Sequence, residues 1–341
     1  MIKLLNYEEI DKNKIQGSYI LIDVRSEGEY RQAHIPNSIN IPLFNDEERK
    51  IIGTVYVNES IEKAKYLGIE AASKRLPMIF KEVSELDKKY NQLIFYCSRG
   101  GMRSSSIVAL LSSLGINAIK LSGGYKGYRK YINKVLPQTI KDIKFVVLYG
   151  NTGVGKTKIL KELEKRGYDV LDLEGCANHR GSFLGGIGLG EQNSQKMFES
   201  YIYESIRKRK TNTIVVEGES KRIGRVIIPD YIFSAMENGI KIKIDADIET
   251  RVKNIMEEYV TENDDELIGA LNLLRKYISE KNIEKYINEI KNKNYAAVIE
   301  ELMTKYYDPL YNFKDKDFDF SISANNINDA VDEISILLTK V

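Results

Sequence analysis

The chain has 341 residues, of which 43% are hydrophobic and 29% charged, a composition typical of a folded globular protein of about two domains. It contains no apolar run of the roughly 18 residues that a membrane-spanning helix needs, and its first residues lack the pattern of a signal peptide. Two cysteines are too few for a disulfide framework, so we expect a cytoplasmic protein without membrane association and with a thiol available for chemistry.

The formal net charge of +2 argues against a uniformly basic nucleic-acid-binding protein, but this sum conceals an uneven distribution. Residues 1–140 carry a charge of +6, residues 141–244 carry +5, and residues 245–341 carry −9. A polyanionic substrate is therefore compatible with the first two-thirds of the chain. We expect the acidic remainder to face away from such a substrate.

Short β-branched segments alternate with helical patterns in the first part of the chain. Residues 19–24 and 93–97 are almost wholly apolar, as expected of strands that are buried on both faces of a sheet. Residues 104–115 have the pattern of a helix that ends at a glycine, and residues 116–121 again resemble a strand. The alternation predicts an α/β domain with a mostly parallel sheet.

A second α/β domain is predicted after Pro137, which together with the strand that follows it indicates a boundary near Gln138. The predicted domains are residues 1–137 and 138–341. Strand-like segments of the second domain are residues 144–150, 168–175, 213–220, 240–246 and 317–325. From about Ile248 the pattern is mainly helical and acidic, which predicts a helical extension.

A glycine loop follows the first of these strands and matches the pattern G-x-x-x-x-G-K-[ST]. It consists of Gly150, Asn151, Thr152, Gly153, Val154, Gly155, Lys156 and Thr157. Its glycines allow successive backbone N–H groups to surround phosphate oxygens, while Lys156 can reach the outer phosphate and the Thr157 hydroxyl can hold Mg²⁺. The pattern predicts a P-loop domain that binds a phosphate chain. A nucleoside triphosphate and any diphosphate ester fit it equally well.

A second carboxylate for the metal is expected at the end of a neighbouring strand, and two pairs of residues compete for this role. Asp172 and Glu174 form one pair, and Glu217 and Glu219 form the other. The members of each pair alternate along a predicted extended segment, so they can share one face. An ordinary polar strand end explains each of the four about as well.

A cysteine loop, residues 97–104, lies between a predicted buried strand and a predicted helix. Backbone N–H groups and the helix dipole are expected to converge on the sulfur of Cys97, and Arg99 and Arg103 add positive charge. We therefore expect a low-pKa, nucleophilic thiol at Cys97 and an ordinary buried cysteine at Cys176. Tyr125, Tyr128 and Arg129 follow closely enough to line the entrance of this loop.

Several segments around this cysteine resemble the rhodanese family. The residues that resemble its opening motif are Asp23, Val24, Arg25, Glu29, Tyr30, His34, Ile35 and Pro36, and residues 122–125 resemble a part of its active-site region. The resemblance implies a rhodanese-like fold and a cysteine that carries a chalcogen. Five residues separate Cys97 from Arg103, one more than the common sulfurtransferase spacing, and this wider loop suits selenium or an oxyanion. His34 is expected to have a structural role.

Other segments resemble the tRNA 2-selenouridine synthase family. They are residues 45–49, 52–56, 172–182, 217–224 and 307–311. The resemblance implies that wobble 2-thiouridine is first S-geranylated with geranyl diphosphate and then converted to 2-selenouridine with selenophosphate. It also implies that the glycine loop binds the diphosphate and that Cys97 serves the selenium step. tRNA is then the partner, a selenophosphate-producing enzyme is a candidate partner, and we expect a monomer.

Candidate contacts for tRNA are basic residues in two groups, which are Arg207, Lys208, Arg209 and Lys210, and Lys221, Arg222 and Arg225. A solvated helix end explains the first group almost as well. His179 and Arg180 precede the glycine-rich residues 181–190, which we expect to form a mobile loop over the phosphate site, with Arg180 on phosphate or tRNA. A plain surface turn is the alternative.

Two other functions compete with this reading. A P-loop kinase or NTPase with a regulatory rhodanese module predicts nucleotide turnover and a preference for ATP over a prenyl diphosphate. A non-enzymatic scaffold with a degenerate rhodanese domain is disfavoured, because Cys97, Arg103 and Lys156 are all present.

Overall fold

The structure is a computed structural model that describes residues 2–181, 185–259, 264–310 and 317–340. The chain divides into two compact units, Met1–Leu136 and Pro137–Val341. Among the helices in those described ranges, none is long and apolar enough to cross a membrane.

The first unit is built on a five-stranded sheet in which every neighbouring pair is parallel. Its strands are β1 (Leu4–Leu5), β2 (Tyr19–Asp23), β3 (Ile39–Asn40), β4 (Gln92–Tyr96) and β5 (Ala118–Leu121), in the order β1-β5-β4-β2-β3. The central strand β4 is the most apolar, and its last four side chains are fully buried. Helices on the sheet complete the α/β fold that the alternating pattern predicts.

Six helices begin among residues 2–136, the described part of this unit: α1 (Tyr7–Asp11), α2 (Glu27–Gln32), α3 (Asp46–Asn58), α4 (Ile61–Asp87), α5 (Met102–Ser113) and α6 (Gly124–Ile140). Helices α3 and α4, which follow β3 and precede β4 in the chain, pack against each other. The sequence patterns did not predict these two helices. A reciprocal pair of hydrogen bonds between Asn45 and Glu48 caps the start of α3.

Pro137, which the sequence analysis associates with a domain boundary near Gln138, lies inside α6 and does not end that helix. The apolar residues Leu136 and Ile140 on either side of it are buried, at 2% and 3% exposure, and burial of this kind stabilises a helix. A proline of this kind costs stability locally, and burial of the flanking apolar side chains offsets the cost.

The second unit has its own five-stranded parallel sheet, so the predicted α/β class is confirmed for both halves of the chain. Its strands are β6 (Lys144–Tyr149), β7 (Val170–Leu171), β8 (Thr213–Glu217), β11 (Ile240–Asp245) and β12 (Phe320–Ser323), in the order β12-β11-β6-β8-β7. A separate antiparallel pair consists of β9 (Arg222–Ile223) and β10 (Val226–Ile227). Strand β6 occupies the centre of the parallel sheet, as β4 does in the first unit.

Nine helices follow in the described part of this unit: α7 (Lys156–Lys165), α8 (Leu173–Ala177), α9 (Gln195–Arg207), α10 (Asp230–Glu237), α11 (Ile248–Tyr259), α12 (Asp264–Leu273), α13 (Glu280–Lys291), α14 (Tyr295–Leu302) and α15 (Ile327–Leu338). Helices α12, α13 and α14 enclose a small apolar core that includes Leu271, Tyr286 and Val298. The turns Met303–Tyr307 and Asp308–Leu310 come directly after α14.

A buried ion pair fixes the end of β2 in the first unit. The Arg25 Nη2 atom lies 2.6 Å from Asp23 Oδ2 and also donates to the carbonyl oxygen of Ala33 at 2.7 Å. The two side chains are nearly inaccessible, and the guanidinium lies 4.5 Å from the centre of the Tyr125 ring. The opening motif of the sequence therefore ties a strand end to the loop that follows α2.

We predict that Asp23→Asn destabilises the protein by about 3–5 kcal/mol, because it leaves the buried Arg25 charge without its partner. Glu8→Gln is the control, since Glu8 pairs with Lys12 at 2.5 Å on the exposed face of α1 and should hardly change stability. Urea unfolding followed by circular dichroism measures both. If Asp23→Asn lowered the free energy of unfolding no more than the Glu8→Gln control does, the buried pair would not be important for this fold.

Candidate functional site

The cysteine loop begins where the central strand β4 ends, and α5 begins five residues later at Met102. The first turn of α6, which follows β5, holds this loop in place through backbone hydrogen bonds. The backbone N–H of Tyr125 donates to the carbonyl oxygen of Cys97 at 2.9 Å, and that of Lys126 donates to Ser98 at 2.9 Å. A side chain at Gly124 would collide with the same Cys97 carbonyl, so this position requires glycine.

The sulfur of Cys97 is buried at the start of α5, where its Sγ atom lies 3.3 Å from Ser104 Oγ. Burial by itself raises the pKa of a thiol. Hydrogen bonds from Ser104, the charge of Arg103 and the N–H of Gly101 outweigh burial and hold the pKa of Cys97 below the ordinary cysteine value. The loop therefore favours a thiolate, as the sequence pattern indicates.

The two arginines of this loop have different environments. Arg103 donates to both carboxylate oxygens of Glu29, at 2.6 and 3.3 Å, and Glu29 also pairs with Arg49 at 3.3 Å. Arg99 is exposed to solvent. Sequence reasoning missed Ser104 and Arg49 as parts of the site. Position in the first turn of a helix is the signal that indicates Ser104, whereas Arg49 is brought here only by the packing of α3.

Neither tyrosine that was expected at the entrance of the loop lies there. Tyr125 and Tyr128 are buried at 6% and 0% exposure, and the Tyr128 ring packs edge-on against Tyr7 with 4.6 Å between ring centres. The reason is the helical phase of α6, which directs both side chains into the core. His34 stacks on Tyr30 with 4.0 Å between ring centres, in keeping with a structural role.

The phosphate loop follows β6, the central strand of the second sheet, and leads into α7 at Lys156. Gly153 and Gly155 have φ angles of +84° and +91°, which side-chain-bearing residues rarely adopt. At Gly150 a side chain would collide with the carbonyl oxygen of Ile244. The glycines of the motif are thus needed for the backbone path itself.

The two polar side chains that end this loop make defined contacts. Lys156 Nζ donates to the carbonyl oxygen of Gly150 at 2.9 Å, and Thr157 Oγ1 donates to Glu174 Oε2 at 3.3 Å. Glu174 is one of the four carboxylates that the sequence offered for a metal site. Its contact with Thr157 connects that carboxylate to the phosphate loop.

The expected extended arrangement of Asp172 and Glu174 is wrong. Strand β7 ends at Leu171, and Asp172 is the N-cap of the short helix α8, where its side chain accepts from the N–H of Gly175 at 2.6 Å. Glu174 lies in the first turn of that helix. Because an N-cap aspartate satisfies helix N–H groups that would otherwise lack partners, the chain turns into a helix at this point.

The two carboxylate pairs that competed in the sequence are brought together. Glu217 ends β8, and its Oε1 atom accepts from the backbone N–H of Glu174 at 2.7 Å. The other oxygen of Glu217 is buried, and no hydrogen-bond partner for it occurs among the described residues. Burial, followed by the charges of Asp172 and Glu174, raises the pKa of Glu217 well above its usual range. Burial also raises the pKa of Glu219, against the effect of Lys156.

Oxygen ligands of this kind suit Mg²⁺, although the described ranges contain no group of three or more His, Cys, Asp or Glu side chains arranged to hold a metal ion. A metal held by Thr157 stays a prediction. Mg²⁺ commonly takes one or two protein ligands and completes its shell with phosphate and water, so the contact between Thr157 and Glu174 fits such a site.

The segment after α8 turns back on itself. Arg180 donates from Nη1 to the carbonyl oxygen of Ile187 at 2.7 Å and from its backbone N–H to Gly185 at 3.0 Å. Gly181 has so little space that a side chain there would collide with the carboxylates of Glu174 and Glu219. The segment therefore lies beside the carboxylates. Ser182, Phe183 and Leu184, and Tyr311 of the motif near the end of the chain, lie outside the described residues.

His179 contacts Glu174 through its backbone N–H, which donates to the Glu174 carbonyl oxygen at 3.1 Å. Burial lowers the pKa of the imidazole, and its Nδ1 atom is buried. The neutral ring is therefore favoured at this position. Contact of His179 or Arg180 with phosphate or tRNA stays a prediction.

The basic residues proposed for tRNA occupy two surfaces of the second unit. Those at the end of α9 are partly engaged within the protein, since Arg207 pairs with Glu204 at 2.9 Å and Arg209 donates to the Ile206 carbonyl oxygen at 2.9 Å, whereas the side chains of Lys208 and Lys210 are exposed. For the two arginines, this arrangement favours the alternative that they belong to a solvated helix end and do not bind tRNA.

The second basic group lies on and beside the β9–β10 pair, where Lys221, Arg222 and Arg225 are all exposed. Lys221 pairs with Asp230 at 2.5 Å, and Arg225 pairs with Glu191 at 3.4 Å. Arg225 also donates to the carbonyl oxygen of Gln192, and Arg222 donates to that of Gly224 at 2.9 Å. Both basic groups are thus partly engaged within the protein, and contact of either group with tRNA phosphates stays a prediction.

Two family models match the chain. The model described as the rhodanese-like domain matches residues 6–131, and the one described as the tRNA 2-selenouridine synthase AAA domain matches residues 143–280. The first match includes the cysteine loop, and the second includes the phosphate loop.

Relatives with similar sequences include the tRNA 2-selenouridine synthase of Nitrosomonas europaea, which is 30% identical over 85% of this chain and 88% of the relative. That of Hydrogenovibrio crunogenus is 31% identical over 92% of this chain and 95% of the relative. Among solved structures, the N-terminal domain of a Clostridium difficile 630 protein is 42% identical, with a TM-score of 0.36, and the match covers 38% of this chain and 98% of that one.

The environment of Cys97 predicts that its thiol is alkylated at lower pH than a free cysteine, whose pKa is about 8.5. Iodoacetamide labelling across a pH series, read at each cysteine by mass spectrometry, measures the midpoint. Ser104→Ala should move the midpoint of Cys97 upward, because it removes a hydrogen bond that stabilises the thiolate. Cys176 is the internal control, since burial raises its pKa. A Cys97 midpoint at or above that of free cysteine would contradict the assignment.

Proposed function

The chain belongs to the tRNA 2-selenouridine synthase family, and we propose that it converts wobble 2-thiouridine in tRNA to 2-selenouridine through an S-geranyl intermediate. One observation carries the proposal. The same chain holds a thiol whose pKa is lowered, at Cys97, and a complete phosphate loop, at residues 150–157. A route that uses a diphosphate ester and then a selenium donor needs one site for each.

The first step forms a carbon–sulfur bond. The sulfur of 2-thiouridine attacks C1 of geranyl diphosphate, the bond from C1 to the diphosphate oxygen breaks, and the N3 proton of the base is lost. Backbone N–H groups of the phosphate loop and the Lys156 ammonium stabilise the departing diphosphate. Thr157 and Glu174 would hold Mg²⁺, which would supply further positive charge at the same oxygens.

The second step replaces sulfur by selenium. The selenium atom of selenophosphate attacks C2 of the alkylated base, the C2–Se bond forms, and the C2–S bond breaks to release geranylthiolate, which takes up a proton. Water then cleaves the Se–P bond, so that selenium stays on C2, N3 regains its proton and phosphate is released. Alkylation makes this exchange feasible, because an S-alkyl group leaves as a thiolate whereas a thiocarbonyl sulfur does not. Cys97 serves this step, with the helix start and Arg103 favouring negative charge at its loop.

The substrate tRNA is held on the basic first two-thirds of the chain, with the β9–β10 group among its contacts. The protein acts in the cytoplasm as a monomer, and selenophosphate reaches it from the enzyme that produces this donor. A P-loop kinase or NTPase with a regulatory rhodanese module is the competing function, because the phosphate loop by itself also suits ATP. Competition between ATP and geranyl diphosphate for the loop separates the two.

Lys156→Ala is predicted to abolish geranylation of 2-thiouridine tRNA, because it removes the ammonium that balances charge on the leaving diphosphate. Nucleoside mass spectrometry detects the loss. Lys161→Ala is the matched control, since Lys161 is exposed on the same helix α7. Accumulation of geranylated tRNA at the normal rate in the Lys156 variant would show that this residue does not act on the diphosphate.

Cys97→Ser is predicted to stop the reaction at S-geranyl tRNA, since the first step does not use the thiol. The ratio of geranylated to selenated nucleoside after incubation with both donors is the readout, and Cys176→Ala should leave that ratio unchanged. A normal yield of selenouridine in the Cys97 variant would eliminate a role for this thiol.

A further inference from the structure

One motif has no part in the chemistry proposed above. Asp308 belongs to the segment at residues 307–311, and its carboxylate receives two hydrogen bonds from Arg251, at 2.9 Å from Nη1 and 2.6 Å from Nη2. The third nitrogen of that guanidinium, Nε, donates to the carbonyl oxygen of Thr152 at 3.0 Å. A carboxylate near the end of the chain is therefore connected, through one arginine, to the middle of the phosphate loop.

A second side chain of α11 makes a parallel contact. Asn254 Nδ2 donates to the carbonyl oxygen of Gly153 at 2.8 Å, and Lys158 Nζ donates to Asn254 Oδ1 at 2.7 Å. Arg251 and Asn254 are three positions apart, so they lie on the same face of the helix. Both are buried, at 7% and 5% exposure. Two successive carbonyl groups of the loop thus have donors from one helix.

These contacts determine the direction in which the loop's peptide groups point. A phosphate-binding loop works when its N–H groups face the ligand, and its carbonyls must then face elsewhere. Carbonyl oxygens of Thr152 and Gly153 that are held by α11 cannot rotate toward the phosphates. Gly153 also lies so close to the Arg251 backbone that a side chain there would collide with it.

We propose that Arg251 and Asp308 are positioning residues for the phosphate loop, Arg251 by holding the Thr152 carbonyl and Asp308 by orienting Arg251. All three guanidinium nitrogens donate within the protein, so Arg251 acts on the loop and not on the ligand. The acidic helical extension thereby takes part in diphosphate binding. The proposal rests on the proposed function for the identity of the diphosphate ester, and its test does not.

The test is calorimetric titration of the full-length protein with inorganic pyrophosphate. Arg251→Lys keeps the charge, but a single ammonium cannot replace the planar guanidinium fork. We expect the Kd to rise about tenfold, as for loss of one hydrogen bond to a charged group. Arg275→Lys is the matched control, because Arg275 pairs with Glu284 at 2.7 Å in the same extension, and its Kd should stay within about twofold of wild type.

A double-mutant cycle distinguishes positioning from two separate structural effects. If Asp308 acts through Arg251, Asp308→Asn weakens pyrophosphate binding by itself but adds little to Arg251→Lys. Additive effects, or an unchanged Kd in Arg251→Lys, would overturn the proposal. Asp308→Asn is titrated alone should Arg251→Lys fail to fold, and an unchanged Kd in that variant would again overturn the proposal.

Kinetics give a readout that general destabilisation would not produce. Arg251→Lys should raise the KM for geranyl diphosphate, while selenation of S-geranyl tRNA prepared beforehand proceeds at the wild-type rate. Equal losses in both steps would contradict a positioning role. Wild-type protein that binds pyrophosphate but never geranylates tRNA would refute the proposed function, and the Kd values would still decide the roles of Arg251 and Asp308.

Discussion

Backbone N–H groups at the carboxyl end of a buried central strand are the feature on which both candidate sites depend. Strands β4 and β6 each occupy the middle of a five-stranded parallel sheet, and each is followed by a glycine-containing loop and a helix. The first N–H groups of α5 and α7 have no acceptors within their own helices, and the helix dipole adds positive potential at the same place. The same arrangement favours a thiolate at Cys97 and, in the proposed function, a diphosphate at Lys156.

The carboxylates beside the phosphate loop connect it to other elements of the second unit. Thr157 contacts Glu174, whose N–H contacts the buried Glu217, so helix α8 and strand β8 both contribute to the surroundings of the loop. Burial, together with the charges of the neighbouring Asp172 and Glu174, raises the pKa of Glu217. Arg251 of α11 donates to the carbonyl oxygen of Thr152 in the same loop. The phosphate loop is thus supported by elements far from it in the sequence.

Local patterns were sufficient to predict the α/β fold class, both loops and their strand-to-helix setting, because apolar strands and glycine spacing depend on neighbouring residues. Contacts between distant residues were not predictable in the same way. Asp172 was expected in an extended segment, yet it caps a helix, and Glu174 then meets Glu217 across 43 positions. No pattern around Arg251 indicates that its partner is 57 positions away at Asp308.

The central claim is that two sites in one chain carry out two ordered steps, and a time course measures this directly. Wild-type protein is incubated with 2-thiouridine tRNA, geranyl diphosphate and selenophosphate, and the nucleosides are followed by mass spectrometry. We expect S-geranyl-2-thiouridine to appear first and to decline as 2-selenouridine accumulates, and neither product to form when geranyl diphosphate is omitted. Formation of 2-selenouridine at an unchanged rate without geranyl diphosphate, or ATP hydrolysis with no modified nucleoside, would contradict it.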